Sequence, residues 1–199
     1  LKRAGSLISE RRRGQDAYSN LGFELLGDAL ARIDKESVSE VISRRVTTPL
    51  GMKDTTPTAQ GSSLPRVRPH CRYGVPTPSW TGVVGAGGLS STSADLRRLL
   101  LAFLSPADSA LERALRLSVE FKMKDSKGTR LGLPWSVHGS MLWHSGGTYG
   151  ETSAMALDIP NSRGAVLLTD QALAFGTVRG VFQLAQERIP APGAPHIRF

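Results

Sequence analysis

Ser140-Met141-Leu142-Trp143-His144-Ser145-Gly146-Gly147-Thr148-Tyr149-Gly150, followed by Glu151 and the apolar run 152–158, is the stretch on which the fold class turns. Two short apolar segments flank a turn that carries three glycines. Neither segment has helical periodicity, so the spacing predicts strands over 140–144 and 152–158. Outward from this pair, 131–137 and 165–169 also have strand character. The polar run Ile159-Pro160-Asn161-Ser162-Arg163-Gly164 is a turn, so the last two strands form an antiparallel hairpin.

The N-terminal half carries helical signals. Residues 1–17 are polar and basic and read as a loop. A helix over 20–33 places Leu25, Leu26, Ala29, Leu30 and Ile33 on one apolar face. Ser37 and Glu40 have the spacing of a capping box for a second helix, which turns Val38, Val41 and Ile42 inward and ends before Pro49. Residues 52–85 are rich in Pro, Gly, Ser and Thr and read as a long loop, of the kind that serves as a lid or binding segment. After Gly85-Ala86-Gly87-Gly88, the residues Ser91, Thr92 and Ser93 are N-cap candidates for a helix with Leu96, Leu99, Leu100 and Phe103 on its core face. A further helix is predicted over 108–120. A final one, over 175–189, turns Val178, Val181, Phe182, Ala185 and Ile189 inward. Helices followed by an antiparallel meander and a closing helix make an α+β fold. The chain reads as a single domain over 1–199, with a mainly helical part at 18–128 and a sheet with its closing helix at 129–189. Three or four strands with one closing helix would leave one sheet face poorly covered. The fold is therefore expected to be incomplete and to self-associate through that face.

Composition narrows the function classes. A net charge of +8 invites a nucleic-acid reading, but the basic residues are spread along the chain and Arg11-Arg12-Arg13 is the only tight cluster. No helix-turn-helix, zinc-ligand or RNA-recognition signature accompanies them, so no nucleic-acid partner is expected. Cys71 is the only cysteine, which rules out an internal disulfide. The four histidines lack metal-ligand spacing, so neither a metal nor another cofactor is expected. No apolar run reaches the length of a membrane span. The opening Leu1-Lys2-Arg3 has no apolar leader and says nothing of compartment.

Four stretches point further. They are Tyr18-Ser19-Asn20-Leu21-Gly22; Pro49-Leu50-Gly51-Met52 with Thr55; Gly87-Gly88-Leu89-Ser90-Ser91-Thr92; and His144-Ser145-Gly146-Gly147-Thr148-Tyr149-Gly150. In this order and spacing the chain resembles the β-lactamase-related serine hydrolases, the group of class C β-lactamases, D,D-peptidases and esterases. The resemblance implies a β-lactamase/transpeptidase-like fold and acyl transfer on an amide, β-lactam or ester bond of a small-molecule or peptide substrate. Such chemistry needs a nucleophilic oxygen, a proton carrier and donors aimed at the developing oxyanion. By resemblance Tyr18 is the catalytic proton carrier. A tyrosine titrates near ~10 unless a positive charge stands beside it. Asn20 matches the residue that hydrogen-bonds the substrate amide; as a bare sequence feature it could equally be a helix N-cap. His144, Ser145 and Gly146 match the variant of Lys-Thr-Gly in which His replaces Lys, and Gly147 matches the position of an oxyanion-hole N–H. The strand edge before the turn would lie along the substrate. Ser145 would supply a hydroxyl or merely fill the turn. An unperturbed imidazole titrates near ~6.5, so His144 can be neutral where the related lysine is charged.

Two departures matter. The family's Ser-x-x-Lys motif carries both nucleophile and lysine, and no serine of this chain has a lysine three residues on. Glu151 stands where relatives have an aromatic residue, and a carboxylate there would disfavour anionic substrates. Two readings follow: the C-terminal part of a serine hydrolase whose nucleophile lies upstream, or a non-catalytic relative that binds a ligand or partner in a vestigial cleft.

Overall fold

The computed structural model describes residues 18–57, 83–105, 109–120, 123–124, 130–131, 133–148 and 150–171, together with Gly180 and Gln183. Helix α1 (Asn20–Asp34) starts where the Ser19 hydroxyl accepts the Gly22 N–H at 3.0 Å, and it ends at Lys35 in the left-handed conformation. The N-cap is therefore Ser19, not Asn20. Helix α2 (Val38–Ile42) has the predicted capping box. The Glu40 N–H donates to the Ser37 hydroxyl, and the Glu40 carboxylate accepts the Ser37 N–H at 2.7 Å. A π-helical turn (Ser43–Thr47) extends it, and Arg44 and Arg45 both pair with Asp34.

α1 docks on a 3-10 turn (Val84–Ala86) through the smallest residues available. A Cβ built at Gly27 would stand 3.2 Å from the Gly85 Cα, and one at Gly85 would stand 3.0 Å from the Phe23 carbonyl oxygen. The Glu24 carboxylate accepts the Gly85 N–H at 3.0 Å. The predicted apolar face of α1 faces elsewhere. Leu26, Leu30 and Ile33 are exposed, as are Leu21 and Phe23, and Ala31 is the one buried residue of the helix. Burial follows the close-packing glycine side rather than the leucine side.

Two short strands, β1 (Thr56–Pro57) and β2 (Leu89–Ser90), pair antiparallel and close the base of the long connecting segment. Residues 58–82 of that segment, with Cys71, lie outside the described residues. Helix α3 (Ser93–Leu104) is capped by Thr92. Its Asp95 is fully buried and accepts from the Asp54 N–H (2.8 Å), the Thr55 hydroxyl (2.9 Å) and Arg98 (2.8 Å). The Thr55 and Ser91 hydroxyls meet at 2.7 Å. The buried carboxylate thus binds the segment entering β1 to the helix that follows β2, with its acceptors filled as burial requires. Helix α4 (Ala110–Val119) opens on a second capping box, Ser109 with Glu112.

The sheet is a six-stranded antiparallel meander: β3 (Met123–Lys124), β4 (Arg130–Leu131), β5 (Ser136–His138), β6 (Met141–Gly147), β7 (Thr152–Asp158) and β8 (Arg163–Thr169). The predicted 131–137 strand is thus two separate pieces, and β6 runs three residues further into the glycines than predicted. β5 and β6 join through Gly139 and Ser140, with φ of 61° at Gly139, as a tight hairpin turn demands. On one face Leu142 and Leu157 pack with Leu100 and Phe103 of α3 and with Trp135, whose ring meets Phe103 edge-on at 5.3 Å. Full burial of a leucine such as Leu157 contributes about 1.5–3 kcal/mol. The layers approach closely at Gly164, where a Cβ would stand 2.9 Å from Leu100 Cδ1.

The opposite face buries Met141, Ala154 and Ala156 beside Trp143, Ala165 and Leu167. A Cβ at Gly180 would stand 3.4 Å from Leu167, so a helical residue lies against this face. The rest of the predicted 175–189 helix, Gln183 apart, lies outside the described residues. Contrary to expectation, then, the sheet buries residues on both faces. Among the residues whose side chains are described, Leu168 on β8 is the exposed large apolar residue of the sheet, and the larger uncovered surface lies on α1.

Candidate active site

β6 gains its character from where its neighbours stop. β5 pairs with it only from Met141 to Trp143, whereas β7 pairs with it from Leu142 to Gly147. From His144 to Gly147 one edge of β6 therefore has no partner strand among the described residues. The backbone direction on that edge follows from the hairpin. His138 and Met141 flank a two-residue turn and form a hydrogen-bonded pair, so Trp143 also faces β5. The alternation turns the N–H and C=O of Leu142, His144 and Gly146 toward β7, and those of Ser145 and Gly147 toward the open edge.

Side chains alternate as well. His144 lies opposite Met155, is exposed, and shares its face with Leu142. The surrounding protein still removes enough water from the imidazole to push its pKa below 6.5. That loss of water favours the neutral form. Ser145 is half-buried opposite Ala154. Gly146 lies opposite Ser153, where a Cβ would stand 2.7 Å from the serine hydroxyl, so a larger residue fits only if that hydroxyl turns away. Around Gly147 a Cβ would meet nothing within 4 Å among the described residues.

The turn after Gly147 is closed by Thr148. Its N–H donates to the Glu151 carbonyl at 2.9 Å, and its hydroxyl accepts from the N–H groups of Gly150 and Glu151. The same hydroxyl donates to the Glu151 carboxylate at 2.8 Å. Glu151 is exposed but turned back on its own turn. Tyr149 lies outside the described residues.

Tyr18 and Asn20 lie together at the start of α1, Tyr18 just before the cap and 73% exposed, Asn20 exposed in the first helical position. Because Ser19 caps the helix, the Asn20 carboxamide has no capping duty. The structure thus gathers His144, Ser145, Gly146 and Gly147 on one strand, and Tyr18 and Asn20 on one helix start. Among the described residues no hydrogen bond joins the two groups. Among the same residues no trio of His, Cys, Asp or Glu is arranged to hold a metal ion, and no helix is long and apolar enough to cross a membrane. Sequence reasoning missed Thr148 as the closer of the turn and Asp95 as the buried hub. Thr55 and Ser91, both inside quoted motifs, were the signal for the hub.

Comparison with known proteins agrees on the fold. The chain is 38% identical over 91 residues to the D-alanyl-D-alanine-carboxypeptidase/endopeptidase AmpH of Escherichia coli K12, a match over 46% of this chain and 24% of that protein. Among solved structures, the β-lactamase/D-alanine carboxypeptidase from Yersinia pestis complexed with citrate superposes with a TM-score of 0.66 at 22% identity. That match covers 86% of this chain and 54% of the other. The class C β-lactamase from Rhodobacter sphaeroides superposes with a TM-score of 0.72 at 18% identity over 86% and 60%. The chain thus spans little more than half the length of these structures. The family model described as Beta-lactamase matches residues 9–186. On that match over most of its length, the chain belongs to the β-lactamase family of serine hydrolases.

Proposed function

We propose that this chain carries the C-terminal part of an acyl-transfer site acting on amide, β-lactam or ester bonds, with the nucleophilic serine supplied by polypeptide upstream of these 199 residues. The supporting observation is the open edge of β6, where the N–H and C=O groups of Ser145 and Gly147 point away from β7. An extended small-molecule or peptide substrate adds to that edge as a strand would. In this reading the Gly147 N–H donates to the carbonyl oxygen as it becomes an oxyanion. Gly146 lets the backbones approach, and Ser145 and His144 hold the substrate beside the strand. Asn20 hydrogen-bonds its amide group, and the Tyr18 phenol carries the proton from nucleophile to leaving group. The positive charge Tyr18 needs comes from the lysine of an upstream Ser-x-x-Lys, since none follows a serine at that spacing here.

Fluorophosphonate and penicillin probes test this. The 199-residue chain should show no acylated serine. The longer polypeptide bearing Ser-x-x-Lys should acylate at that serine, with a rate reduced roughly 10²-fold or more by Tyr18→Phe. Stoichiometric labelling of a serine within these residues would overturn the assignment. A full reading frame with no Ser-x-x-Lys would do so in favour of the second reading, a non-catalytic relative that binds a ligand or partner in the same cleft.

A further inference from the structure

The chain has a net charge of +8, yet it carries no lysine or arginine between Arg130 and Arg163. The glycine turn, the open edge of β6 and all of β7 fall within this gap. Among the described residues at the turn end of the sheet, the charged side chains are acidic. Glu151 is one, and Asp170 follows Thr169, the register partner of Thr152. Glu151 is turned back toward the glycine turn, where its carboxylate accepts the Thr148 hydroxyl and its carbonyl accepts the Thr148 N–H. Thr148 directly follows Gly147. That contact and the single residue step keep the carboxylate within about 10 Å of the Gly147 N–H, close to the Debye length at physiological salt, so the interaction is substantially screened unless a substrate anion comes nearer than that.

On the reading that the β6 edge binds substrate, we propose that Glu151 makes that edge selective for neutral acyl compounds, with an ester or amide terminus, over those bearing a free carboxylate. A substrate anion laid along Ser145 and Gly147 meets a fixed negative charge at one end. At the other end His144 offers no fixed positive charge in compensation. The carboxylate is exposed and about one Debye length away, so the effect is small, roughly twofold to threefold in affinity.

The test is an amide chemical-shift titration of the 199-residue chain with acetyl-D-Ala-D-Ala and with the C-terminal amide of the same peptide. The amide peptide should bind roughly twofold to threefold tighter at low salt, the preference should disappear in 1 M salt by screening, and Glu151→Gln should abolish it. The Glu151→Gln side chain keeps an acceptor for the Thr148 hydroxyl, and an unchanged melting temperature verifies that the turn survives. Equal binding of the two peptides by the unmodified chain, or a preference untouched by Glu151→Gln, overturns the selectivity. If neither peptide shifts the amides of Ser145 and Gly147, the edge itself is not a substrate site, and both proposals fall.

Discussion

The β6–β7 pair and helix α1 are built from equally apolar residues, and they end in opposite conditions. Ala156 and Leu157 are wholly buried, with Ala154 and Met141 nearly so. Along α1, Leu26 is 53% and Ile33 74% exposed, and the helix is held by the Gly27–Gly85 approach, the Glu24 bond to Gly85 and buried Ala31. The difference teaches that an apolar stripe says a helix wants a partner without saying where the partner comes from. The Leu142–Leu157 face of the sheet finds its partners on α3, within the described residues. The leucine side of α1 does not.

The contrast can be broken most sharply at Leu157. Replacing it by alanine should lower stability by about 3–4 kcal/mol in urea unfolding, and a loss below about 1 kcal/mol would mean the sheet is not the stabilising centre. A smaller effect is expected at the buried hub that ties the segment entering β1 to α3. Asp95→Ala leaves the Asp54 N–H and the Thr55 hydroxyl without their acceptor and should cost about 2–3 kcal/mol. It should also speed hydrogen exchange at Asp54, and an unchanged exchange rate there would remove the hub from the account. The smallest effect belongs to α1. The pair Leu26→Lys and Ile33→Lys should shift stability by no more than about 0.5 kcal/mol. The unmodified chain should associate at high concentration through that stripe while the variant sediments as a monomer. A large loss of stability in the variant would mean that the stripe is already covered.

Legibility in the sequence followed the strength of local signals. The Ser37–Glu40 box, the start of α1 and the limits of β7 were readable because capping and strand alternation act over a few residues. The Ser109–Glu112 box has the same spacing and could have been read the same way. β3 and β4 were not readable as strands, since two residues cannot display a period. Tyr18-Ser19-Asn20 offers two adjacent cap residues, and only the backbone decides that Ser19 serves. Within the site, the glycine turn announced itself by composition. The open edge of Ser145 and Gly147 did not, because it depends on where β5 ends, a matter of register rather than residue type.

Gly164 has a consequence for how such a chain can drift. The space a methyl group would need there is already taken by Leu100 on one side and by the Ala156 carbonyl on the other. One of these can shrink by substitution and the other, being main chain, cannot. Trimming Leu100 therefore relieves only one side of the crowding, and position 164 stays bound to glycine by the main chain of β7 whatever side chain stands at position 100.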